Sequence, residues 1–254
     1  MFAAILHVMR FELQRSFAIA RVATWVLLWA FPTVLIATAV LTTRVNPPIV
    51  VASLLSFILV PQVSCMLGLL LWATPSIQSE LEGKTWIYIS LRPHGKLAVL
   101  IGKYCLAVLW SGSACLISSW VIAWLLGHDQ WFQLAVALSG LSMLACMSYG
   151  ALYSLIGVLV TKRAMIAALA YSLLVEVAIS WVPATINQLT VSYRLRSLLS
   201  QWMELDRLRS RTELFNGTES TMTNVSILVC YSLGLLSIAS FALLRREQGP
   251  ESDS

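Results

Sequence analysis

The chain has 254 residues, of which 58% are hydrophobic and 11% charged, and its mean hydropathy is +0.79. A soluble domain carries about a quarter charged residues and must clothe its surface in polar groups. This composition therefore excludes a water-soluble globular domain, a disordered chain and a fibrous repeat, and points to a polytopic membrane protein in which lipid replaces part of the core. The net charge of +5 comes from Lys and Arg dispersed between apolar runs. They read as topology signals, and no nucleic-acid partner is expected.

Residues Phe2–Arg21 come first and pattern as an amphipathic helix. At 100° per residue, His7, Arg10, Gln14 and Arg21 fall within about 60° of arc, with Ile5, Phe11, Leu13, Phe17 and Ile19 as the apolar contribution. Arginines on the polar face suit a helix lying in the inner membrane interface; docking on the protein's own cytoplasmic face is the alternative.

Six runs long enough to cross about 30 Å of hydrocarbon follow: Val22–Leu41, Ile49–Trp72, Leu97–Leu126, Trp131–Val160, Ala164–Val182 and Val225–Leu244. None alternates as barrel strands do, and an isolated apolar segment satisfies its own backbone only as a helix. The third and fourth are longer than a crossing requires, so they tilt or project. Ala37-Thr38-Ala39 resembles a cleavage site, but the first run is long enough to be a retained span.

Orientation follows from the short connections. One side collects Arg10, Arg15, Arg21, Lys84, Arg92, Lys96, Lys103, Lys162, Arg163, Arg245 and Arg246, while the other has Arg44. Both termini are thus expected in the cytoplasm. The five remaining arginines lie in the long segment Pro183–Asn224, which this topology places outside. Trp72 marks an inner boundary, Trp25 and Trp29 the inner half of the first run, and Trp120, Trp124, Trp131 and Trp181 the outer boundary.

The expected architecture is an all-α polytopic membrane domain over residues 1–245. It comprises an interfacial helix at 1–21, a cytoplasmic loop at 73–97 and an extracytoplasmic loop with short amphipathic helices at 183–224, before a cytoplasmic, disordered tail at 246–254. In the outer loop, Leu195, Leu198, Leu199, Trp202 and Leu205 span about 120° of arc, with Arg196, Ser200, Glu204, Arg207 and Arg211 opposite. This predicts a helix at the outer surface, capping a pathway or its own helix ends. Asn216-Gly217-Thr218 and Asn224-Val225-Ser226 match glycosylation sequons, which matter only in a eukaryotic secretory route.

Groups that carry chemistry are few. Gly83-Lys84-Thr85 lacks the first glycine of a phosphate loop, because position 78 is Gln78, so no ATP site is expected in this chain. The three histidines, His7, His94 and His128, lie outside the apolar runs. The five cysteines, Cys65, Cys105, Cys115, Cys146 and Cys230, form no CxxC pair and read as small buried residues, so neither a metal nor a cofactor is expected. Glu176 is the one acid in an apolar run; it either belongs to a transport path, or is protonated or hydrogen-bonded to a neighbouring helix. Pro32, Pro61 and Gln62 suggest kinks or packing.

The loop ATPSIQSELEGKTWIYISLRPHGK is unusually apolar and acidic for a cytoplasmic connection. Trp86 and Tyr88 suit docking into a groove on a soluble partner, or packing beneath the chain's own helix ends. SELEGKTW followed by LRPHGKLAVLIGK resembles the cytoplasmic loop of ABC-2 type transporter permeases, with Glu80, Glu82, Gly83, Thr85, Pro93, Gly95, Lys96, Gly102 and Lys103 at the matching positions. Lys84 separates the usual Gly-Thr pair. The plan of an interfacial helix, six spans and short outer helices between spans five and six is similar too.

That resemblance implies a multi-pass subunit of the plasma (cytoplasmic or inner) membrane, itself no enzyme and without cofactor, serving an ATP-driven exporter. A separate cytoplasmic ABC ATPase subunit binds the ATP, and a second permease copy or a paralogue completes the pathway in the bilayer. Glu80, Glu82, Gly83, Thr85, Trp86, Tyr88, Arg92 and Pro93 then belong to the coupling loop. A self-contained secondary transporter or channel is the alternative, and it would have to use Glu176.

Overall fold

A computed structural model describes residues 8–10, 13, 17, 19–43, 48–75, 95–160, 163–178, 190–203 and 220–245. The described residues form helices and no strand, as the composition requires. Helix α1 spans Ile19–Thr43, α2 Ile49–Trp72, α3 Gly95–Leu126 and α4 Trp131–Leu159. Helix α5 begins as Ala164–Tyr171 and continues as a π-helix over Ser172–Ala178; α6 is Val191–Trp202 and α7 is Thr221–Arg245.

Five of these, α1, α2, α3, α4 and α7, are long and apolar enough to cross a membrane. The expected run Ile49–Trp72 is matched at both ends, and the others extend their runs by a few residues or end within one of them. The expected fifth span is described only as eight α-helical and seven π-helical residues. That is at most about 22 Å of helix, short of a crossing by itself.

Helix α4 is the axis of the bundle. Its main neighbours are α3 and α7, and α2, α5 and α6 also touch it. In its most apolar eighteen-residue stretch 67% is buried, against 22% in both α1 and α7. Small residues permit this crowding. A Cβ on Gly157 would stand 2.6 Å from the Thr74 carbonyl oxygen, and one on Gly140 would stand 2.9 Å from the Trp202 ring. The first contact seats the end of α2 on α4, and the second seats α6 on α4.

The exposed helix α1 carries several threonines without wasting their hydroxyls. Thr24, Thr33, Thr38 and Thr42 each donate to a carbonyl three or four residues back, leaving methyl groups for an apolar surrounding. Two aromatic clusters mark different levels along α3. Trp110 meets Phe17, Trp25 and Trp72 at ring distances of 5.8, 6.2 and 6.0 Å, and Trp25 Nε1 donates to Ser113 Oγ. Ten residues on, Trp120 meets Trp131 and Phe132. Trp25 and Trp72 thus share one level, and Trp120 and Trp131 the other, as the sequence predicts.

Helix α6 differs from its expectation. The sequence suggests a surface helix with Arg196 and Ser200 turned outward. In the structure Arg194, Arg196 and Ser200 are buried together with Leu195, Leu198 and Leu199. Helices α4 and α7 both pack against it, and Asn224 of α7 meets Arg194.

Candidate functional site

Several polar groups inside the bundle converge on the N-terminus of α6. Two π-helical stretches deliver them. In α2 the stretch Ile58–Ser64 surrounds Pro61, which lacks an N–H and clashes with the carbonyl four residues back. Widening the turn absorbs both defects, and such turns recur where a helix must re-aim a side chain. Here the next residue, Gln62, is buried and donates from Nε2 to Ser192 Oγ at 3.3 Å. In α5 the stretch Ser172–Ala178 carries Glu176, which is fully buried.

Four donors surround the Glu176 carboxylate. Oε2 accepts from the Ser192 backbone N–H at 3.0 Å, from Ser192 Oγ at 2.8 Å and from Tyr149 Oη at 3.1 Å. Oε1 accepts from the Val191 N–H at 3.4 Å. Thr190 Oγ1 takes the next amide, that of Tyr193. Three of the four amides that a helix start leaves unpaired are thereby satisfied, in a place where the helix dipole favours an acidic group. Tyr149 Oη and Ser192 Oγ also lie 2.9 Å apart, so α2, α4, α5 and α6 meet in one network.

The rest of α6 is tied to α7 and α4. Arg194 donates to Asn224 Oδ1 at 3.1 Å, Asn224 Nδ2 donates to Ser197 Oγ, and Thr221 Oγ1 donates to Gln201 Oε1. Gln133 Nε2 closes the far end on the Trp202 carbonyl. Burial pushes the Arg196 guanidinium below its ordinary value, while nearby Tyr149 and Glu176 act the other way. Asn224 is 1% exposed with both ends of its carboxamide engaged, so its sequon is not presented for modification.

Of the residues singled out by sequence, Glu176 lies at the centre of this junction, hydrogen-bonded to neighbouring helices. The coupling-loop residues Glu80, Glu82, Gly83, Thr85, Trp86, Tyr88, Arg92 and Pro93 lie outside the described residues, as do most of Phe2–Arg21, Asn216 and the segment after Met203. Sequence reasoning missed Tyr149 and Ser192 as partners of Glu176. The polar Gln62 beside Pro61 was the available signal. It also missed that Cys65, Cys115 and Cys146, on α2, α3 and α4, bring their sulfurs within 4.8 Å of one another. Comparison with protein-family models, curated proteins and solved structures finds no match to this chain.

Proposed function

We propose that this chain is the membrane subunit of an ATP-binding-cassette exporter of the ABC-2 permease type. It forms part of a substrate pathway with a second permease copy or a paralogue, and a separate cytoplasmic ATPase drives it. It has six spans with both termini in the cytoplasm, α5 being the fifth and α6 the short outer helix before the last. The loop around Glu80–Arg92 receives the ATPase.

The observation that carries this reading is the commitment of Glu176. A carrier coupled to protons or sodium needs an acid within the bundle that exchanges its ion with water on each side. Glu176 is the one acid in the apolar runs, and it is sealed among four internal donors. Energy input from outside the chain, through the apolar and acidic cytoplasmic loop, then fits better than ion coupling. The resemblance of that loop to ABC-2 permeases names the source.

A mild-detergent pull-down of the tagged chain, with mass spectrometry and an ATPase assay on the eluate, tests the reading. A stoichiometric P-loop ATPase that is lost with Trp86→Ala or Glu80→Ala is the expected result. In reconstituted vesicles Glu80→Ala, Glu82→Ala and Trp86→Ala each uncouple hydrolysis from transport without preventing insertion. Wild-type coupling in all three removes the docking role from the loop. Transport that runs on a proton gradient with no ATPase present overturns the assignment in favour of a self-contained carrier.

A further inference from the structure

We infer that Cys65, Cys115 and Cys146 form a binding site for a soft, thiophilic metal ion, monovalent copper. The inference stands on the cluster alone and does not depend on the transport reading. The three thiols come from three different helices, α2, α3 and α4, and their exposures are 0%, 1% and 0%. Their sulfurs all lie within 4.8 Å of one another, with Cys65 and Cys146 3.1 Å apart.

The geometry suits one ion at the centre. Thiolate sulfurs stand about 2.3 Å from a d10 metal, so three of them around one ion in a plane lie about 4 Å from each other. Cys65 and Cys146 separate by about 1 Å to reach that arrangement, a rotamer adjustment rather than a helix movement. The ligand set selects the ion. Three sulfurs and no carboxylate or imidazole disfavour magnesium, calcium and manganese, and soft thiolates select monovalent copper among the available metals. Zinc held by three protein ligands keeps a fourth position for water, and these three cysteines are fully buried. Ligating thiols give up their protons, so uptake of the ion releases protons and weakens as the pH falls.

Buried cysteine also packs as a small apolar residue. The same helices fill neighbouring positions with Gly68, Ser111, Gly112 and Ala145, which are as small and carry no thiol. The surroundings hold the thiols in place. Ser111 Oγ donates to the Cys65 carbonyl at 3.4 Å, Cys146 Sγ donates to Ser111 Oγ at 3.8 Å, and Cys115 Sγ points to the Val60 carbonyl at 3.9 Å. Cys65 is three residues from Gln62, and Cys146 three from Tyr149, so the cluster lies one turn from the junction at α6 on the same faces of α2 and α4. An ion there clamps the three central helices beside that junction.

The test titrates the full chain in detergent micelles with Cu(I) under a reductant, against the chromophoric chelator bathocuproine disulfonate. One equivalent retained by the wild type and by Cys105→Ser/Cys230→Ser is expected. Cys65→Ser, Cys115→Ser and Cys146→Ser should each weaken binding by about tenfold or more, with helicity and elution volume unchanged. No retained copper in the wild type overturns the inference, as does equal retention by the triple Cys→Ser variant or one equivalent of zinc held in preference. Should a variant fail to fold, X-ray absorption on the copper-loaded wild type still decides. Three sulfur neighbours support the site, and nitrogen or oxygen in their place refutes it.

Discussion

Replacing Glu176 tests the account of the buried junction most directly. Glu176→Ala removes the acceptor of two backbone amides, a serine hydroxyl and a tyrosine hydroxyl. Ser192 and Tyr149 already stand 2.9 Å apart and can bond each other, so the unrelieved loss is the pair of amides at Val191 and Ser192. A buried donor left without an acceptor costs about 1–3 kcal/mol, or about 2–6 kcal/mol for two. Polar contacts in membrane bundles measure nearer ~0.6 kcal/mol each, which draws the expectation to the low end, about 2 kcal/mol. That is about a 30-fold rise in local opening. Glu176→Gln keeps one acceptor oxygen and should cost about half as much. Amide hydrogen exchange by mass spectrometry on peptides spanning Val191–Trp202 reads this directly. Exchange should rise in the order wild type, Gln, Ala, with peptides from α3 unchanged. Equal exchange in wild type and Ala, or Gln as fast as Ala, refutes the acceptor role.

Two further substitutions probe contacts described above. Gly157→Val places a side chain against the Thr74 carbonyl, where a Cβ alone already stands at 2.6 Å. Overpacking of this kind costs about 1–3 kcal/mol, so its unfolding midpoint in a denaturing-detergent titration should fall below that of Ala substituted at the open Gly234. Asn224→Ala takes away the oxygen to which Arg194 donates and the amide that reaches Ser197. A bond to a charged group contributes about 1.5–3 kcal/mol, and the same titration should register a loss of that order. Expressed in a glycosylating host, the wild-type chain should show no mobility shift attributable to Asn224, and a shift abolished by Asn224→Gln would contradict its burial.

Five of the six expected spans were readable as long apolar helices because that is a local property: length and apolarity in one stretch of chain decide it, which is why Ile49–Trp72 agrees at both ends. The polar interior was not readable for the opposite reason. The pattern of α6 sets Leu195 and Leu198 against Arg196 and Ser200, and a single helix with that pattern belongs at a surface. Its burial depends on Asn224 and Thr221 from one direction in the sequence and on Glu176 and Gln62 from the other. Glu176 announced itself as an acid in an apolar run, but nothing near it indicated that its partners were amides of a helix fifteen residues on. The cysteines carry no spacing motif because their neighbourhood is made by three helices crossing. Pro61 and Gln62 suggested a kink or packing, and neither indicated the π-helical stretch in which they lie.

The way α6 is held also dates its assembly. Its first turn is closed by Gln62, Tyr149 and Glu176, all of which leave the ribosome before it. Gln133, also earlier, reaches its far end, while Arg194, Ser197 and Gln201 wait for Asn224 and Thr221, which come after it. Twenty-two residues separate Trp202 from Asn224, about 1–4 s of synthesis. For that interval the helix is moored to α2, α4 and α5 alone, and the arrival of α7 completes the mooring. Until α7 has emerged, α6 therefore lacks the ties of Arg194, Ser197 and Gln201, and the last helix works as the latch of a structure already laid down.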